Sequence, residues 1–146
     1  MIVGQDFTAL ELDVLLNRLK DLKVDKFSRI GRFRRQAWPK LSPGRNAHLL
    51  SGRLILDLSS DGSQGIIDST TWSMTEMCLT HLRIEREEID PEDTPRYFDN
   101  IHSKAKDLLH FVQHCEADAY FQMAIAHKVQ ALPLTRQLTN LAGNSW

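Results

Sequence analysis

Cysteine is scarce in this chain of 146 residues, which holds only Cys78 and Cys115. Neither has a close-spaced partner, so no disulfide framework or zinc-ligand spacing is available. Both are expected to be reduced, buried thiols of an intracellular protein. Long apolar runs are missing as well. Nothing approaches the roughly 18–20 residues of a membrane span, and no basic-then-apolar leader is expected to direct secretion. There is no internal repeat and no low-complexity tract. At this length one domain at most is expected. A further absence is local: from Lys26 to Arg53 there is no acid at all, although the chain balances 19 acidic against 18 basic residues.

That acid-free stretch, KFSRIGRFRRQAWPKLSPGRNAHLLSGR, holds Lys26, Arg29, Arg32, Arg34, Arg35, Lys40, Arg45 and Arg53, which is 8 of the 18 basic residues. Phe27, Phe33 and Trp38 are interleaved among them. A basic segment with spaced aromatics can follow a phosphate backbone, and Arg32, Arg34, Arg35 and Lys40 are the candidate contacts. A solvated basic loop packed by its own aromatics is the other reading.

Periodicity sets out the elements. Ile2-Val3 stops at Gly4 and reads as a strand feeding a helix over 8–24, where Leu12, Leu15, Leu16, Leu19 and Leu22 share one face. Thr8 and Glu11 have the spacing of a capping box. Residues 25–51 have no period and read as a long loop, of a length that usually carries function. GRLILDL, 52–58, reads as a buried strand around Asp57, and SSDGSQG as a turn before a strand-like Ile66-Ile67. A short helix is expected over 72–82, capped by Ser69, Thr70 or Thr71. An acidic loop spans 86–95.

Thr94-Pro95 then starts a long helix whose buried face carries Phe98, Ile101, Ala105, Leu108, Leu109 and Val112. The pattern continues through Ala119, Gln122, Met123 and Ala126 to about Gln130, with a break or bend expected near 114–116. His102, His110 and His127 fall at polar or boundary positions, and Met74, Met77 and Met123 at core positions. LPL, 132–134, is expected to interrupt, and a last helix over 135–142 to end at Gly143. Two strands make no stable sheet alone, so the pattern reads as the back part of an α/β domain.

Three stretches carry a resemblance. IVGQDFTALELDVLLNRL is similar to the second exonuclease segment of family B DNA polymerases, G-(Y/H)-N-I-x-x-F-D-x-x-x-L. GRLILDL resembles the strand after the long loop, and LTRQLTNLAGNSW the stretch that leaves this domain toward the palm. FSRIGRFRR has the flavour of the family's alpha type, of fungal kind. The resemblance implies an α/β, RNase H-like 3′–5′ exonuclease fold, truncated at its N-terminal strands and therefore helix-dominated. It divides the chain into a partial exonuclease-like domain, 1–133, and the start of a connection toward the palm, 134–146.

Hydrolysis in active members of that family uses two metal ions about 4 Å apart, held by converging carboxylates. The resemblance places a first-motif acid pair upstream of Met1. At the second motif Phe-Asp has become Leu10-Glu11, and the motif's Asn has become Asp6. A glutamate in place of aspartate displaces the carboxylate by an amount that can cost about a hundredfold in rate, and Glu11 also has a place in the capping box. HCEADAYF, 114–121, lines up with Y-C-x-x-D-A-Y, so Asp118 stands where a metal ligand would be and His114 where the tyrosine would be. His114 and Asp118, four apart on one helical face, could pair with each other or hold a metal.

Glu11, His114 and Asp118 are thus expected to be relic positions, with no catalytic residue and no metal in this piece. The resemblance implies a proofreading-inactive scaffold facing nucleic acid. Its parent would be a nuclear, magnesium-dependent DNA polymerase acting on DNA and RNA-primed DNA with primase-complex subunits, and no membrane partner is expected. A working exonuclease module and a stand-alone, non-enzymatic adaptor are the alternatives.

Overall fold

The computed structural model describes residues 1–67, 69–99 and 104–144. They form two compact units, Met1–Gly65 and Ile66–Trp146, each described by itself. The division falls at the end of the SSDGSQG turn.

In the first unit, β1 (Ile2–Gly4) pairs in parallel with β2 (Ile55–Asp57), with Ile2 opposite Ile55 and Gly4 opposite Asp57. The strand expected over 52–58 is confined to those three residues. A π-helical turn, Phe7–Glu11, leads into α1 (Leu12–Asp21). Asp6 opens the turn in the left-handed region at φ 51°, a conformation that aspartate tolerates better than most residues. The capping box does not form, because Thr8 turns its N–H and hydroxyl to Asp57 instead.

Leu12 and Leu16 are fully buried and form a core with Leu49 and Leu50, flanked by Ile2, Phe7, Ile30, Trp38, Leu41 and Ile55. Burial of each such leucine stabilises the fold by roughly 1.5–3 kcal/mol. Leu15 and Leu22, expected on the same face, are exposed, since the apolar stripe that packs is narrower than the leucine pattern.

The long loop contains two 3₁₀ turns, Phe27–Ile30 and Asn46–Leu50, and it is held firmly. The Asp13 carboxylate accepts from the Gly44 N–H and from Asn46 Nδ2, both at 2.6 Å. Asn46 is 1% exposed, and its own carbonyl oxygen accepts from the Ser42 N–H. A four-residue helix, α2 (Asp61–Gln64), closes this unit with Ser60 as its cap. Ile66 and Ile67 form no strand.

In the second unit, α3 (Met74–Met77) continues as a π-helical turn over Cys78–Leu82. Its cap is Ser73, whose hydroxyl accepts from the Glu76 N–H, not Ser69, Thr70 or Thr71. A 3₁₀ turn, Thr94–Phe98, follows, with Asp93 rather than Thr94 at its N-cap. Helix α4 runs unbroken from Ala105 to Lys128, with no break at 114–116. Ile101 and His102, placed by sequence on this helix, lie outside the described residues.

The interruption comes at Gln130, left-handed at φ 51°, and α5 (Ala131–Leu141) begins before LPL. Pro133 sits in its first turn, where the missing N–H has no helical partner to lose. The 133/134 boundary suggested by the resemblance therefore falls inside a helix. Gly143, at φ 69°, ends α5 as expected. The Asn144 N–H bonds to the Thr139 carbonyl and the Gly143 N–H to that of Asn140, which is a Schellman closure.

The packed face of α4 matches the apolar pattern only in part: Ala126 is buried as expected. Leu108, Leu109, Val112 and Met123 are exposed, while Phe111, His114, Asp118, Phe121 and Ile125 turn inward. Those five recur at spacings of three and four. Two of them are polar, and the fold tolerates this because both are hydrogen-bonded. Phe111 is flanked by Tyr97 and Phe98, with ring centroids at 5.1 and 5.4 Å. Met74, Met77 and Cys78 are buried as expected, whereas Cys115 is exposed.

Candidate functional site

Asp118 and His114 lie one turn apart on α4, with His114 Nε2 3.5 Å from Asp118 Oδ2. The stronger partner of Asp118 comes from elsewhere. Arg86 Nε donates to Oδ1 at 2.6 Å and Nη2 to Oδ2 at 2.7 Å, a two-toothed guanidinium–carboxylate fork. Arg86 Nη2 is also 3.3 Å from His114 Nε2, and Nη1 donates to Thr75 Oγ1 at 3.2 Å. The Thr75 hydroxyl in turn donates to Glu88. Arg86 thus ties α3, the start of the acidic stretch and α4 together.

The side chains of the fork are 15% and 25% exposed, so water screens the pair only in part. The hydrogen bond to Asp118 leads the causes that hold the Arg86 pKa above its ordinary value. Burial pushes the nearby Cys78 thiol up, which keeps it a protonated, unreactive core residue. A cleft of about 260 Å³ opens beside the fork, lined in part by Glu87, His110 and Phe121.

Glu11 belongs to the first unit and keeps different company. Asp57, 8% exposed, receives the Thr8 N–H at 3.0 Å and hydroxyl at 2.9 Å on Oδ2. Ser59 Oγ stands 2.9 Å from Asp57 Oδ1 and 2.7 Å from Asp6 Oδ1, and its one proton serves one of them at a time. Burial raises the Asp57 pKa, but the Thr8 and Ser59 bonds outweigh it and hold the carboxyl below its ordinary value. Glu11 moves the other way. Desolvation first, then the charges of Asp57 and Asp6, raise its pKa.

These surroundings decide whether the acids fit a metal ion. Divalent ions such as magnesium need several oxygen ligands directed at one point. Both Asp118 oxygens are taken by an arginine, and the Asp57 oxygens by neutral donors. Among the described residues no group of three or more His, Cys, Asp or Glu side chains is arranged to hold a metal.

The third region is the basic loop. Arg32, Arg34, Arg35 and Lys40 are all exposed, and among the described residues none forms an ion pair. Trp38 packs the loop as expected, its ring stacked on Phe27 at 3.8 Å. Arg53 is exposed but tied back to the loop, its Nη2 donating to the Arg29 carbonyl at 3.2 Å.

Sequence reasoning brought His114 and Asp118 together correctly but missed Arg86, Thr75 and Glu88. The available signal was a lone cation, Arg86, set among the acids of EREEIDPED. It also passed over Asp57, whose signal was a charge inside an apolar strand.

No family model matches the chain. Individual proteins do. The DNA polymerase alpha catalytic subunit of Oryza sativa subsp. japonica is 34% identical over 158 aligned residues that take in all of this chain. The Saccharomyces cerevisiae subunit is 31% identical over 156, also spanning all of it, and the Mus musculus subunit 34% over 149, spanning 99%. The sequence is thus similar to a segment of DNA polymerase chains. Its family is the DNA polymerase alpha catalytic subunit, to one segment of which it is homologous from end to end. The chain spans about a tenth of the length of these relatives, 10% in each case. No helix among the described residues is long and apolar enough to cross a membrane.

Proposed function

We propose that this chain serves as a proofreading-inactive scaffold within the RNase H-like, exonuclease-like domain of a replicative family B DNA polymerase of the alpha type. The observation that carries this reading is the Arg86–Asp118 fork. Family resemblance places a metal-binding aspartate at Asp118, and here a guanidinium holds both of its oxygens. An arginine side chain is permanently charged and neutralises the carboxylate without activating water. His114, in place of the family's tyrosine, shares that network instead of presenting a phenol. Glu11, at the second motif, has its charge disfavoured by burial first and then by Asp57 and Asp6, which is a poor start for a metal ligand.

In this reading the domain braces the polymerase and offers Arg32, Arg34, Arg35 and Lys40 to nucleic acid. Residues 134–146 would lead toward the palm. The parent would synthesise DNA on RNA-primed templates in the nucleus, alongside primase-complex subunits, with its magnesium held by carboxylates elsewhere in that polymerase.

The test is exonuclease activity. The parent polymerase, given magnesium or manganese and end-labelled single-stranded DNA, is expected to leave the strand intact. Shortening of the strand that Asp118→Ala abolishes would overturn the scaffold reading.

A further inference from the structure

We infer that residues 32–38 form a single-strand-binding tip, in which Phe33 stacks on a base while Arg34 and Arg35 neutralise flanking phosphates. This rests on the nucleic-acid-facing reading above and narrows it to one ligand, unpaired DNA or RNA of any sequence.

The tip has fixed ends and a free middle. On one side, the Gly31 backbone lies so close to the Leu49 carbonyl that a Cβ there would sit 2.3 Å from its oxygen. The Arg32 N–H bonds to the Ser51 carbonyl at 3.0 Å. The aliphatic stem of Arg32 passes over Gly52, where a Cβ would meet it at 2.6 Å. On the other side, Trp38 is stacked on Phe27, which is itself only 4% exposed.

Between these anchors every residue from Arg32 to Ala37 is exposed. Phe33 is 65% exposed and, among the described residues, stacks on no other ring. A single exposed aromatic is ordinary on a protein surface. An exposed aromatic held on a fixed base and followed by two arginines that form no ion pair among the described residues is a more specific arrangement.

Its chemistry favours single strands over duplexes. A base in a duplex is already stacked on both faces and offers the ring nothing. A base in a single strand has a free π-face, and stacking on an aromatic side chain strengthens binding by roughly five- to a hundredfold per base, with little regard to sequence. Arginines beside the ring supply the phosphate contacts, which weaken as salt rises. Because the ends of the tip are fixed before the ligand arrives, less ordering is needed on binding.

The test is fluorescence anisotropy on the full 146-residue chain, with labelled oligo-dT and a labelled hairpin duplex across a salt series. Phe33→Ala is expected to weaken oligo-dT binding by roughly five- to a hundredfold and to leave duplex binding unchanged, with Phe33→Tyr restoring the affinity. The double variant Arg34→Ala/Arg35→Ala is expected to weaken both ligands and to flatten the oligo-dT salt slope by about 1.4. If the arginine pair matters and Phe33→Ala does not, or if Phe33→Ala weakens both ligands equally, the stacking inference fails and the nucleic-acid-facing reading stands. If the chain binds neither ligand, or the arginine pair changes nothing, both fail.

Discussion

Arg86 grips Asp118 with two parallel hydrogen bonds, at 2.6 and 2.7 Å, across 32 positions of sequence. The pair is mostly shielded from water, so removing one partner strands the other. Arg86→Ala is expected to lower the unfolding free energy by about 2 kcal/mol, the scale of a hydrogen bond to a charged group. Arg86→Lys recovers only part of this, because an ammonium cannot form the fork. The double variant Arg86→Ala/Asp118→Ala is expected to lose less than the sum of the two single variants. Urea unfolding of all four chains measures that coupling.

The acids of the first unit respond to pH in opposite directions. Glu11 has a folded pKa above its ordinary 4.5. Between those two values the folded state holds the proton more tightly, so stability falls as pH rises through the window. Glu11→Gln is therefore expected to raise the melting temperature at pH 7, with the gain vanishing below about pH 4.5. Asp57 lies below its ordinary 3.8. Its contribution is complete above that value and is lost as pH falls through the folded pKa. Thermal melts of the wild type, Glu11→Gln and Asp57→Asn from pH 3 to pH 8 check both signs.

Asp13 clamps the long loop through the Gly44 N–H and the Asn46 amide. Asp13→Ala is expected to leave the buried Asn46 donor without an acceptor, a loss of roughly 1–3 kcal/mol. The more direct readout is limited trypsin digestion. Cleavage after Lys40 and Arg45 is expected to quicken in the variant, while cleavage in the second unit keeps its pace.

Gln130 holds the left-handed conformation between α4 and α5, at φ 51°. An L side chain there costs about 1 kcal/mol that glycine does not incur. Gln130→Gly is expected to raise the midpoint of thermal unfolding. A lowered midpoint would mean that the Gln130 side chain makes contacts worth more than the backbone strain.

What could be read in the sequence was local. Leu12 and Leu16 announced a packed helix, Gly143 the C-terminal closure of α5, and Ile55–Asp57 a strand. The i, i+4 spacing placed His114 beside Asp118. What could not be read depended on partners far along the chain. Thr8 and Glu11 have perfect capping-box spacing, yet Asp57 outbids the helix end for the Thr8 hydroxyl. On α4, counting apolar residues chose the face with Leu108, Leu109 and Val112. The fold buries the face with His114 and Asp118, because an arginine 32 positions before Asp118 removes the cost of doing so. A charge on a helix reads as outward-facing until its counter-charge is known. The exonuclease resemblance singled out Glu11, His114 and Asp118, and only their neighbours, Arg86 above all, show what company they keep.

The parallel pairing of β1 with β2 has a consequence in time. Unlike a hairpin, it joins segments that lie 53 positions apart, the separation of Asp6 and Ser59 at its edge. Such a long loop must close before any of its three residue pairs contributes. Helix α1 and the Asp13 clamp draw on nearer contacts and can form first. The strand pair is then the slow step when this unit folds and the first part to open when it is stressed. Amide hydrogen exchange would register it as the earliest loss of protection at Ile2 and Leu58, whose N–H groups close the ladder at 2.8 Å.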